Sequence, residues 1–113
     1  MSATRQHEAP RETIAPGRDR YLTYTDHLMM TVIDFTDGPS VQPDPPHQHP
    51  HEQVTYVAEG ELLFFLGDTP HRLSAGDMIA VPANVPHTIQ LLSSHVRLVD
   101  TFNPIREEFL KKK

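Results

Sequence analysis

The chain has 113 residues, among them eight histidines and eleven prolines but no cysteine and no tryptophan, and a formal charge of −5. This length allows one domain with a real core. The missing cysteine excludes disulfides, thiolate nucleophiles, iron–sulfur clusters and Cys-type zinc sites. The acidic balance excludes an overall basic surface of the kind nucleic acid attracts.

Residues 1–20 are polar and broken by Pro10, Pro16 and Gly17, and they read as an arm that is flexible alone or held by a partner surface. Residues 21–113 then form the domain. The run 28–35, rich in apolar and β-branched residues, predicts a strand. Residues 36–46 carry Gly38, Pro39, Pro43, Pro45 and Pro46 and predict a loop. Short strand-like runs follow at 53–58, 62–66, 71–73, Met78–Val81, 87–92 and 96–102, each closed by turn residues such as Gly60, Gly67 and Gly76. Strands this short and this regularly spaced predict an all-β sandwich or barrel. Only 105–112 reads as a short helix, with Pro104 at its start, and Lys111, Lys112 and Lys113 read as a solvated end. No apolar run approaches the roughly 20 residues of a membrane-spanning helix. The opening MSATRQHEAP lacks the apolar core of a signal peptide. A soluble, cytoplasmic protein is the expectation, with neither nucleic acid nor membrane as a partner.

Three histidines fall close together, at His47, His49 and His51. On a strand, residues two apart face the same way, so His47 and His49 share a side with Gln53. Two imidazoles in this relation can meet one divalent ion, and His87, after the rigid Pro82–Pro86 loop, is the best distant residue to close such a site. Taken alone, the cluster reads equally well as a solvated proline-rich loop. His7, His27, His71 and His95 read as surface residues, and Tyr56, Phe64 and Leu91 as core.

The two segments together resemble the signature motifs of the cupin superfamily. The first is carried by His47, His49, Gln53 and Gly60, the second by Gly76, Pro82, Asn84 and His87. Gln53 stands where a glutamate is usual, Asn84 and Val41 where glycines are usual, and Leu91 where asparagine is usual. The resemblance spans about residues 28–103. It implies a small jelly-roll barrel with one divalent transition metal (nickel, zinc, manganese or iron) held by His47, His49, Gln53 and His87. His51 has the parity of a ligand, but Pro50 can kink the strand before it, and a supporting place near the pocket suits it better.

The tail from Asp100 through Phe102, Pro104, Ile105, Arg106, Glu107, Glu108, Phe109 and Leu110 resembles, more narrowly, the KdgF family of pectin- and alginate-degradation cupins. That resemblance implies conversion of unsaturated monouronates to linear ketonic sugars, with Asp100, Phe102 and Arg106 as the nonmetal catalytic residues. It also implies a small sugar-acid substrate and a homodimer. The chemistry is consistent. A guanidinium suits a uronate carboxylate, Asp100 suits proton movement, and Phe102 suits an apolar wall. Three imidazoles and one amide leave a divalent ion its full charge, which favours anionic ligands. On residues alone, Asp100 reads also as part of an outward face, with Arg106 pairing at the surface. A metal-dependent dioxygenase or lyase on another small acid, or a non-catalytic small-molecule sensor, remain competing functions, since this barrel hosts many reactions.

Overall fold

The computed structural model describes residues 3–110; Lys111, Lys112 and Lys113, expected as a solvated end, lie outside the described residues. Nine strands follow in chain order: β1 (Glu12–Ala15), β2 (Arg18–Tyr24), β3 (Met29–Phe35), β4 (Glu52–Glu59), β5 (Glu61–Leu66), β6 (Thr69–Ser74), β7 (Met78–Val81), β8 (His87–Leu91) and β9 (Val96–Asn103). They form two antiparallel sheets, a six-stranded one ordered β1-β2-β3-β9-β4-β7 and a three-stranded one ordered β6-β5-β8. The chain is all-β with a jelly-roll fold, and β3 through β9 lie where the apolar runs and turn residues place them. Gly60 closes the β4–β5 hairpin at φ +84°, and a Cβ there would stand 2.2 Å from the His95 carbonyl oxygen. Only glycine fits that corner.

Alternation along the strands divides the interior lengthwise. Val96 and Leu98 on β9, Val57 on β4, Phe35 on β3, and Leu62 and Phe64 on β5 pack into one apolar cluster. Farther along the same inward faces stand Asp100 and Phe102 on β9, Thr55 and Gln53 on β4, and Thr31 on β3, all buried. Thr31 and Thr55 are the direct cross-strand neighbours of Asp100. One end of the barrel is a packed core and the other is polar.

The structure corrects three expectations. The boundary between arm and domain at residues 20 and 21 falls inside β2, because the chain has already entered the large sheet at β1. This hairpin was hidden because ion pairs and hydrogen bonds, not apolar alternation, hold its charged residues. Arg20 bonds Glu12 at 2.8 Å, Thr13 bonds Asp19 at 2.8 Å, and Arg18 bonds Asp37 at 3.0 Å and Asp44 at 2.7 Å. The helix expected over 105–112 is reduced, within the described residues, to one 3-10 turn at Glu107–Phe109. Tyr56, expected in the core, faces outward. It joins Tyr24, Met30, Val54 and Met78 as exposed apolar residues of the large sheet. Phe64 and Leu91 are core, as expected.

Candidate metal centre

The proline-rich loop does not join the large sheet. It runs beside β8, to which Ser40, Asp44 and His47 are tied by backbone bonds. The last of these is reciprocal. His47 N–H donates to the His87 carbonyl at 3.0 Å, and His87 N–H donates to that of His47 at 2.9 Å. This bridge sets the two residues side by side, with ring centroids 4.3 Å apart. Asn84 N–H donates to the His49 carbonyl at 2.8 Å and tethers the third imidazole to the same corner. Asn84 itself sits at φ 64°, a left-handed conformation that asparagine tolerates better than most residues. That is how it stands in for the motif's glycine. Val41, at the other glycine position, is 98% exposed, so nothing there demands glycine.

One ligating nitrogen each of His47, His49 and His87 lies within 4.8 Å of the others. His49 Nδ1 lies 3.0 Å from the His51 carbonyl oxygen, and His87 Nδ1 lies 2.9 Å from that of Val85. A carbonyl accepts, so each Nδ1 carries the proton and each Nε2 keeps its lone pair, the tautomer that a metal takes. His87 Nε2 is buried and has no protein partner. A buried nitrogen aimed at two other imidazoles is the arrangement a divalent ion satisfies. Burial, foremost, pushes the imidazole pKa values down, that of His47 to about 4. The rings stay neutral and available at physiological pH. The donor set therefore fits a divalent metal. His51 stands outside the triad and supports it through its carbonyl.

Gln53 extends the cluster. Its Oε1 faces His49 Nε2 at 3.1 Å, and its Nε2 donates to Thr55 Oγ1 at 2.9 Å. Thr55 Oγ1 in turn donates to Asp100 Oδ1 at 2.7 Å. Asp100 points inward, which decides between its two sequence readings, and burial pushes its pKa from 3.8 up to about 6 against the opposing pull of Thr55 and Arg106. Phe102 packs edge-on against His49, with centroids 5.9 Å apart. Arg106 reaches the same place from the tail. Its Nε and one terminal nitrogen both lie 2.9 Å from a Glu108 carboxylate oxygen, and its guanidinium lies over the Phe102 and Phe109 rings. A cavity of about 250 Å³ joins these groups, lined among others by His47, His87, Gln53, Asp100, Phe102 and Arg106. All seven residues singled out from the sequence converge on this corner.

Thr55, Phe109 and the Arg18–Asp44 pair were missed. Thr55 shares the parity of Gln53, a signal that would have found it. Phe109 is stacked by Arg20 at 3.6 Å and Arg106 at 4.3 Å. Arg18 and Asp44 line the cavity as an ion pair. The last two join segments far apart in the chain and leave no local signal.

Residues 35–102 match the family model of the cupin domain. Over 105 residues, the chain is 32% identical to the pectin degradation protein KdgF of Dickeya dadantii, an alignment covering 91% of this chain and 93% of that protein. The chain is a KdgF-like cupin. Among solved structures, this KdgF-like cupin is similar to KdgF from Halomonas sp., with TM-score 0.87 and 30% identity over 96% of this chain and 98% of the other. It is also similar to an RmlC-like cupin from Shewanella frigidimarina, with TM-score 0.84 and 33% identity over 94% and 93% of the two chains.

Proposed function

We propose that this KdgF-like cupin opens and tautomerises the ring of an unsaturated monouronate, giving the linear ketonic sugar acid in pectin or alginate breakdown. The observation that carries the reading is Asp100, a carboxyl buried beside the imidazole cluster, with a proton affinity near neutral. A metal held by His47, His49, Gln53 and His87 supplies Lewis acidity toward sugar oxygens. Asp100 takes the proton of the anomeric hydroxyl. The bond from the anomeric carbon to the ring oxygen then breaks, leaving an aldehyde and an enolate. The enolate collapses to a ketone as the far carbon of its double bond takes the proton back from Asp100. Atoms balance and no oxidant is needed, so the reaction is an isomerisation. A carboxyl with pKa about 6 suits both halves of that exchange, because general acid–base catalysis works best near the operating pH.

Arg106 binds the uronate carboxylate. Its guanidinium lies over the Phe102 and Phe109 rings, which restrains its donors. Phe102 offers the sugar ring an apolar wall. The name of the Dickeya relative, a pectin degradation protein, supports this substrate class, and the similar Halomonas protein carries the same KdgF name. We include in this reading a cytoplasmic homodimer that uses the exposed apolar face of the large sheet. Among the described residues, no helix is long and apolar enough to cross a membrane.

The test is loss of the unsaturated product of a pectate or alginate lyase in the presence of metal-loaded protein. Acceleration with wild type, and its loss in Asp100→Ala and Arg106→Ala, is the expected result. Full activity in both variants would overturn the assigned roles.

A further inference from the structure

An amide ligand poses a problem that a carboxylate ligand does not. Its two ends are nearly the same shape, yet only the oxygen can bind a cation, and the NH2 end would repel one. Something must decide which end of Gln53 faces the imidazoles. The groups around it supply an answer. Thr55 is 0% exposed, and its hydroxyl has one proton to give. An ionised carboxylate only accepts, so at 2.7 Å from Asp100 Oδ1 that proton is committed to Asp100. Toward Gln53, at 2.9 Å, Thr55 then offers lone pairs alone. Only the NH2 end satisfies them, and Oε1 is left facing His49. Thr31, the other cross-strand neighbour of Asp100, has a buried hydroxyl with no partner, so nothing on that side competes for the role.

We propose that Thr55 is the positioning residue of the metal centre. Its one-way hydrogen bonds, from Gln53 to Thr55 to Asp100, fix the Gln53 amide with its oxygen toward the metal. The inference rests on the reading of Gln53 as a ligand. It goes beyond that reading in assigning the choice of amide end to a residue that touches neither metal nor substrate. It also explains how the site manages glutamine at a position where cupins usually carry glutamate.

The experiment is a double-mutant cycle in divalent-metal affinity, measured by zinc titration calorimetry on the full chain, with folding checked by circular dichroism. Thr55→Val removes the hydroxyl at nearly constant shape and should weaken zinc binding about 10- to 100-fold, the usual effect of losing a supporting partner. Thr55→Ser keeps the hydroxyl and should stay within about threefold of wild type. A carboxylate has no wrong end, so in a Gln53→Glu background Thr55→Val should cost less than about threefold. Equal losses in both backgrounds, or no loss in wild type, would overturn the proposal. If Thr55→Val does not fold, NMR of the zinc-loaded wild type decides. Contacts from the Gln53 NH2 protons to Thr55 support the proposal, and contacts to the His49 ring instead overturn it. A wild type that takes up no zinc would sink the metal reading along with this inference. Failure of uronate turnover with the affinity cycle intact would sink only the proposed reaction.

Discussion

The two faces of the large sheet invert the ordinary rule. Near the cavity, the inner face carries Thr31, Thr55, Gln53 and Asp100, with both threonines 0% exposed. The outer face of the same sheet carries Met30, Val54, Tyr56 and Met78, with Tyr56 44% and Met78 68% exposed. Register makes both sets contiguous. Val54 lies opposite Ala80 and Thr101, and Tyr56 opposite Met78 and Val99. Polar groups belong inside only where partners satisfy them. Here the hydrogen-bond chain satisfies Gln53, Thr55 and Asp100, while Thr31 Oγ1 and His87 Nε2 are buried without a protein partner. The core that drives folding is left to the other end of the barrel. The inner face thus spends stability on chemistry, and the outer face has apolar surface to cover.

The sharpest way to break this contrast is to remove a ligand. His87→Ala deletes the buried nitrogen that has no protein partner, and zinc uptake and turnover should both be lost. Retained metal, measured by elemental analysis after dialysis, would refute the triad. Next in size is Asp100→Asn, which keeps the shape but not the proton. Turnover should fall about 10²- to 10⁴-fold, and wild-type kcat/KM should decline as pH falls through about 6, where Asp100 becomes protonated.

The same substitution tests the burden carried by the inner face. The folded state raises the Asp100 pKa above its unfolded value of 3.8, so it favours the protonated form. Ionised Asp100 therefore destabilises the fold above about pH 6, and the penalty vanishes below 3.8. Metal-free Asp100→Asn should accordingly be more stable than wild type at pH 7 by roughly 1–3 kcal/mol, with the gain gone at pH 3.5. The histidines act in the opposite sense. Their folded pKa values are depressed, that of His47 to about 4, so metal-free protein should lose stability as pH falls from about 6.5 toward 4. Thermal melts across this range check both signs.

Arg106→Ala should raise KM about 10- to 100-fold with a smaller change in kcat, as expected for loss of a charged hydrogen bond to substrate. The smallest effect belongs to the outer face. Tyr56→Glu should leave monomer stability within about 0.5 kcal/mol and leave zinc affinity unchanged. In the proposed dimer it should shift the mass seen by light scattering to that of a monomer. A wild type that is already monomeric would sharpen the contrast differently, by leaving the apolar face bare.

The sequence made the ligands legible because each motif is local. Parity links His47, His49 and Gln53, and the Pro82–Pro86 loop fixes where His87 begins. The same parity, applied further, places Thr55 inside and Tyr56 outside, since the buried Gln53 at an odd position of β4 sends even positions to solvent. Tyr56 reads as core because it alternates with other apolar positions, but it stands on the even, outward face of β4. The β1–β2 hairpin was illegible for a deeper reason. Its interior-facing Arg18 and Arg20 are held by Asp44, Asp37 and Glu12, so its alternation is written in charge and not in hydropathy. The tail misled in a similar way. A proline start favours a helix, but among the described residues the tail makes one 3-10 turn, with Phe109 stacked by Arg20 and Arg106.

The reciprocal backbone bridge between His47 and His87 has a consequence for how the molecule matures. It fastens the proline-rich loop to a strand far along the chain, and such distant pairings are slow to form because loop closure must come first. The three imidazoles meet only after that fastening, so the unfolded chain offers an ion no comparable grip. An ion that binds the native state alone stabilises it by mass action, about 2.7 kcal/mol at a hundred times its dissociation constant. Zinc added during refolding should then slow unfolding far more than it speeds folding, making ion uptake a clock for the closure of the barrel.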